Sequence, residues 1–491
     1  VFTQTTRKEN EPIMRRLLEV VAVGAVLLSA HACWAARDMC KMLRDKGILN
    51  ELEYNECKAS QETEEGSLSK SLQDFAKDWI SYKEGTGFVI NSSQTAPGDY
   101  RNPAPKPRFS FALGNRIQVR YSYLSPDTPA QDETASFRIR RFKTFLNGNA
   151  FYPWVKYKVQ VNWVGFNEPD TRNNEPDLED ALVDVAYFPA AALQVGQYKV
   201  PFDRQELTSS GAQQFVDRAI TNARYTFSRD QGVTLHGVLG AEKEEWFEYN
   251  AGVFNGNGRN KTDNDNTEHL GVVRLYWTPM GPFKYSESDT DNTPKPMIAI
   301  GTAYAYNPVT SSSTSTANLT TTFPDPANPA QMIDVVTGSR STLTQSDADI
   351  HRLTADAQLK WRGLSLVGDV FFEDRENKLP RVVRTDFNAA GKALSTTAGA
   401  GTTPGTQHTI GVLTQAGYFI IPKRVELAGR YALVNPDARN NKQQEIRGAI
   451  NWFLFAHNMK LQTDFGTIMT QQAVGGDRKD FEARTQFQLI F

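Results

Sequence analysis

The 491-residue chain has three cysteines, a formal net charge of -2 and a mildly polar mean hydropathy of -0.49. So few cysteines exclude a disulfide-dense scaffold. The balanced charge gives no global reason to expect nucleic acid as a partner. A helical membrane protein is excluded by the hydropathy together with the lack of repeated long apolar runs. His236, His269, His351, His408 and His457 stand singly, without metal-ligand spacing, and no serine sits in a nucleophile elbow. Neither a metal centre, a cofactor site nor a catalytic constellation is expected, so the chain does not read as an enzyme.

What is present begins with Met14-Arg15-Arg16, then a short apolar stretch from Val20 to Ala32, then "HACWA". This pattern is a secretory signal peptide with cleavage expected after Ala35, and residues 1–13 precede its start. Export permits a disulfide between Cys40 and Cys57, which flank "KMLRDKGILNELEYNE". Gly47 reads as a helix C-cap and Asn50 as the next N-cap, giving a helical hairpin; two free thiols are the alternative. Leu68, Leu72, Phe75 and Trp79 form a short heptad-like seam, either plain helical packing or a stub that helps a trimer form. "NSSQTAPGDYRNPAPKP" reads as a linker. The expected division is residues 1–35 as upstream residues and signal peptide, 36–82 as helical hairpin and coiled-coil-like segment, 83–108 as linker, and 109–491 as the main domain.

From Phe109 onward the chain alternates with period two over segments of about ten residues, the length of a membrane strand. "RIQVRYSYL" sets Ile117, Val119, Tyr121 and Tyr123 against Arg116, Gln118, Arg120 and Ser122. The last segment, "KDFEARTQFQLIF", sets Phe481, Ala483, Thr485, Phe487, Leu489 and Phe491 against Glu482, Arg484, Gln486 and Gln488. Candidate strands fall near 110–124, 136–147, 153–164, 178–188, 192–198, 230–240, 246–254, 270–278, 297–306, 350–361, 363–373, 409–419, 424–434, 443–454, 458–467 and 480–491. The connections alternate long and polar with short, apart from the medium "MGPFKYSESDTDNTPKP". A soluble sandwich has no reason to sort its loops by parity, whereas an outer-membrane barrel does. The fold expected is therefore all-β: a sixteen-stranded antiparallel transmembrane β-barrel with a short N-terminal helical periplasmic appendage.

On that register the lumen receives Arg116, Arg120, Arg138, Arg140, Lys158, Arg274, Lys360, Arg430, Arg447, Lys460 and Arg484. It also receives Asp184, Glu248, Asp356, Asp369, Glu373, Glu426, Asp464 and Glu482. This is a mild cationic excess; mixed charges that merely hydrate the wall are the alternative. Arg116, Arg120, Arg138 and Arg140 share two neighbouring strands, and guanidinium columns lower the barrier to anions. The long gap 199–229 carries Lys199, Arg204, Arg218, Arg224 and Arg229 against Asp203, Glu206 and Asp217. It is either an anion selector or a salt-bridged plug lining.

The segments "FRIRRFKTFLNGNAFYPWVKYKVQVNW", "LQVGQYKVPFDRQELTSS", "DRAITNARYTFSRDQGVTLHG", "AGVFNGNGRN" and "EIRGAINWFLFAHNMKLQTDF" resemble the phosphate-selective porin O and P family of Gram-negative outer membranes. The resemblance implies a trimeric channel in outer-membrane lipid, with the third extracellular loop folded into the pore and small anions such as phosphate as solutes. Phe491 resembles the aromatic C-terminal signal read by the outer-membrane assembly machinery. Loop 199–229 lacks the dense lysine cluster of the family's phosphate-selective members. The competing class is a structural or adhesive barrel working through the Ser/Thr-rich surface loop 307–349.

Overall fold

The structure is a computed structural model. It describes residues 80–128, 131–164, 176–241, 244–261, 263–264, 266–325, 328–378, 381–388, 393–400, 405–437, 441–472 and 476–491, with Arg44, Glu51 and Asn55 individually. The chain divides into residues 1–80 and 81–491. The expected signal peptide, the heptad-like seam and the Cys40–Cys57 bridge lie outside the described residues, as does most of the helical hairpin.

Sixteen strands form the wall: Ser110–Ser125 (β1), Thr134–Ala150 (β2), Tyr152–Asn162 (β3), Asp177–Val185 (β4), Ala192–Lys199 (β5), Arg229–Ala241 (β6), Glu244–Phe254 (β7), Leu270–Trp277 (β8), Met297–Asp325 (β9), Asn328–Trp361 (β10), Leu364–Asn377 (β11), Gly405–Ile421 (β12), Val425–Pro436 (β13), Gln443–Phe455 (β14), Met459–Thr470 (β15) and Arg478–Ile490 (β16). Each overlaps an expected strand. All neighbouring pairs are antiparallel, and β16 returns to β1 from Phe481↔Ser125 to Ile490↔Arg116, which closes the barrel. Asn115 and Phe491 then exchange backbone hydrogen bonds of 2.6 and 3.0 Å across the seam. Closure is required because a spanning strand in lipid has no water to satisfy an open edge.

The two faces of β16 show how the alternation is used. Arg484, Gln486 and Gln488 are buried toward the interior, while Phe481 and Phe487 are exposed outside. Leu193, Val195, Val233, Leu235, Val273 and Leu366 continue the outer apolar band. Trp277, Trp361, Tyr418 and Trp452 ring the barrel at the short-turn end, and Tyr121, Phe137 and Trp163 lie toward the long-loop end. Such girdles place amphipathic rings at the two headgroup levels.

Three features depart from the expected layout. Residues 307–349, expected as a loose loop, continue β9 and β10 as one hairpin paired from Met297↔Lys360 to Asp325↔Asn328. Thr310, Thr314, Thr316 and Thr320 are β-branched, and their stiff side chains favour extended backbone even in a polar sequence. A second hairpin, Arg381–Asn388 with Ala393–Ala400, pairs alongside it. The stretch 83–108, expected as a linker, contains Gly87–Asn91, which pairs with the start of β1 from Phe88↔Leu113 to Asn91↔Ser110. It then crosses the short-turn end, where the Tyr100 amide donates to the Tyr187 carbonyl at 2.9 Å and Arg101 Nη2 donates to the Val238 carbonyl at 2.7 Å.

The inside–outside assignment has a direct consequence. Leu235→Arg, on the outer face of β6, is expected to cost roughly 2–4 kcal/mol when unfolding is measured in lipid vesicles. Gln194→Arg, facing the interior of neighbouring β5, should cost no more than about 1 kcal/mol on the same scale.

Candidate functional site

Residues 200–228, between β5 and β6, fold into the barrel. Two short helices give the segment local order: Arg204–Leu207 (α1) and Ile220–Tyr225 (α2). Asp203 caps α1 by accepting from the Glu206 amide at 2.9 Å. A backbone inside a barrel brings polar groups that need partners, and the wall supplies them. Arg274 donates to the Phe202 carbonyl and Arg352 to the Tyr225 carbonyl. Lys460 donates to the Gln213 carbonyl, Asn451 to that of Gln214, and Gln488 to that of Gly211. In the other direction, the Val216 amide donates to Asp464 and the Ile220 amide to Glu445.

Two glycines on β12 make room for this loop. A Cβ at Gly411 would stand 2.3 Å from the Tyr225 ring, and one at Gly417 would stand 1.8 Å from Gln214 Nε2. Tyr225 instead stacks on Phe371 with ring centroids 4.9 Å apart. Arg204, fully buried, donates to Gln358 at 2.7 Å and faces Asp356 and Asp369 at 3.7 and 4.0 Å. The connection between β8 and β9 also turns inward. Its Glu287 accepts from the Gln214 amide at 2.8 Å and from Gln205 and Gln415 at 3.1 Å each. Ser288 of the same connection donates to Glu426 at 2.9 Å.

These contacts occupy the interior facing β8 to β13. On the opposite side, a cavity of about 590 Å³ remains between the loop and the wall. Its wall residues come from β1 to β6 and β14 to β16. Ten basic and five acidic side chains line it. The acids are heavily shared. Glu179 meets Lys143 at 2.6 Å and Arg229 at 3.4 Å, and Glu445 meets Arg430 at 2.6 Å and Arg447 at 3.0 Å. Asp217, on the loop, meets Arg120 at 2.8 Å, Arg141 at 2.9 Å and Arg140 at 3.4 Å. Burial works against ionisation of Asp217, but these arginines outweigh it and hold its carboxyl well below the usual carboxylate range.

The expected lining residues divide by position. Arg116, Arg140, Lys158, Lys199, Arg218 and Arg229 line the cavity. Arg116 donates to Ser209 and Ser210 on the loop, and Lys158 pairs with Asp180 at 2.7 Å. Lys199 donates to the Leu207 and Thr208 carbonyls, and Arg218 pairs with Glu206 at 3.1 Å. Arg120 lies behind Asp217 with only 1% of its surface exposed. Arg138 is half-buried on β2 but outside the cavity lining. Arg204 locks α1 to the wall, and Arg224 pairs with Glu373 at 2.5 Å.

Strict alternation missed Arg141 and Lys143. A bulge pairs Gln118 with Arg141 and Val119 with Ile139, so Arg140 is the extra residue. Both Arg140 and Arg141 thereby reach the cavity, and Lys143 follows on the same face. The signal was the doubled arginine followed by Lys143 at the next alternate position, a parity change that a one-residue insertion produces.

Residues 111–338 match the family model described as phosphate-selective porin O and P. Over this stretch, a little under half of the chain, the sequence resembles that family. The match runs from β1 into the β9–β10 hairpin, and the strands from β11 to β16 complete the closed barrel around it. Among solved structures, the chain is similar to an anion-selective porin from Comamonas acidovorans, with 12% identity, a TM-score of 0.47, and 78% of this chain and 100% of that one covered. It is also similar to the outer membrane channel DcaP of Acinetobacter baumannii, with 12% identity, a TM-score of 0.45, and 78% and 97% covered. OmpT of Vibrio cholerae in its trimer form shares 8% identity, with a TM-score of 0.43 and 77% and 99% covered. These likenesses are too distant to speak for function. No curated protein matches.

The packing of the inserted loop is testable. Arg204→Met removes the buried counter-charge facing Asp369 and leaves Asp356 with Arg274 alone, at an expected cost of about 3–5 kcal/mol. Protease cleavage within 200–228 of the folded porin should rise with it. Gly411→Val should release the same loop without changing any charge.

Proposed function

We propose that this porin is a passive diffusion channel that favours small hydrophilic anions, phosphate-type oxyanions among them. The observation that carries the reading is the twofold excess of basic over acidic side chains around the one-sided cavity. A low-dielectric wall focuses such an excess into a positive potential that lowers the barrier to anions. Solutes enter between the long loops and pass between loop 200–228 and strands β1 to β6, sorted by size and charge. The reading is supported further by the family match over residues 111–338. It includes a homotrimer in outer-membrane lipid, delivered by the assembly machinery, with residues 1–35 removed and 36–82 in the periplasm. The missing lysine cluster in the loop makes anion preference, rather than strict phosphate selection, the expected behaviour.

Planar-bilayer recordings of the purified porin under a potassium chloride gradient test this. The expected reversal potential has the sign of anion selectivity, and joint Arg140→Gln and Arg141→Gln substitution should move it toward or past zero. Cation selectivity in the unsubstituted porin would overturn the anion reading. A complete lack of conductance would favour a structural or adhesive barrel working through the long β9–β10 hairpin.

A further inference from the structure

The loop presents one carboxylate, Asp217, to three guanidinium groups of the wall. Its Oδ2 is 2.8 Å from Arg120 Nη2 and 3.4 Å from Arg140 Nε, and its Oδ1 is 2.9 Å from Arg141 Nη2. The cradle is rigidly supported. Arg120 also donates to Gln486 Oε1, and Arg141 Nη1 donates to Gln118 Oε1 at 3.0 Å. The main chain of Asp217 is fixed separately, because Arg430 donates to its carbonyl at 2.9 Å and the preceding amide donates to Asp464 at 3.0 Å. Asp217 lines the cavity, and its side chain keeps 17% exposure.

Three converging guanidinium groups are an oxyanion site by chemistry, since each offers charge-assisted donors in a fixed plane. Here that site is filled from within the chain. We propose that Asp217 is a tethered competitor: its carboxylate occupies an oxyanion subsite formed by Arg120, Arg140 and Arg141, and keeps permeating anions from binding tightly there. A short tether holds such a group at an effective concentration in the millimolar range or above, so a free anion must compete against it continually. A channel benefits from this arrangement, because conduction needs an attractive wall without a site deep enough to trap the solute. The inference rests on the anion-channel reading for its role in permeation, but the masked subsite itself is a binding property.

Two substitutions separate the idea from simple removal of a negative charge. Asp217→Ala removes the carboxylate and leaves its space, whereas Asp217→Asn removes the same charge but keeps the space filled. Titration of inorganic phosphate into the detergent-solubilised porin, followed calorimetrically, reads the subsite directly. Asp217→Ala is expected to bind phosphate at least about tenfold more tightly than either the unsubstituted porin or Asp217→Asn. In bilayers, phosphate should block chloride current through Asp217→Ala at a correspondingly lower concentration, while both variants shift the reversal potential in the same direction. Equal phosphate affinity in all three proteins would overturn the proposal, as would equal gains in the two variants. Should Asp217→Ala fail to fold, Asp217→Ser keeps part of the space open and must show the same gain over Asp217→Asn. A failure of the channel reading shows differently, as missing anion selectivity in the unsubstituted porin, whatever the titrations give.

Discussion

A segment of backbone placed inside a barrel must find a partner for every buried amide and carbonyl, and the rest of this structure is organised around that requirement. Loop 200–228 meets it by leaning on the wall. Lysine, arginine, asparagine and glutamine side chains from β8, β10 and β14 to β16 bond its main chain. Gly411 and Gly417 of β12 leave the hollows in which Tyr225 and Gln214 sit. The connection carrying Glu287 fills in from the short-turn end. The loop packs closely against β8 and β10 to β13, the cavity lies toward β1 to β6 and β14 to β16, and the charge of those strands decides what that space attracts.

The charges there serve two ends at once. Buried acids such as Glu179 and Glu445 are each shared by more than one base, which satisfies them but leaves a surplus of positive charge facing the cavity. An ion pair in such a place is weak evidence for stability, since desolvation offsets much of its Coulomb attraction. It does fix geometry. Arg116, for example, is held to Ser209 and Ser210 and so ties the loop's inner edge to β1.

Much of this was legible before any coordinates. Period-two alternation located all sixteen strands, because a membrane wall with a wet interior leaves its two faces no freedom to mix. The charged residues expected inward on β1 and β3, Arg116, Arg120 and Lys158, do lie on the interior face. The bulge at Gln118 and Val119 was not legible, since one inserted residue reverses every later assignment on its strand; only the doubled arginine hints at it. Nor could composition tell a lining residue from a locking one. Arg204 and Arg218 sit on the same loop with the same chemistry, yet one is sealed against Asp356 and the other faces the cavity. Arg204 is sealed by partners more than a hundred residues away, whereas those of Arg218 lie on the loop itself. The Thr-rich stretch from 307 reads as a loop by its polarity, but its β-branched side chains favour strand.

Solutes in the proposed channel pass on one side of loop 200–228 and are excluded from the other. Single cysteines at Lys158, beside the cavity, and at Gln358, behind the loop, test it in a background with the native cysteines replaced by serine. A charged thiol reagent applied during single-channel recording is expected to change the conductance of the Lys158→Cys channel promptly and to leave that of Gln358→Cys unaltered. Prompt modification at position 358, or none at 158, would contradict the account.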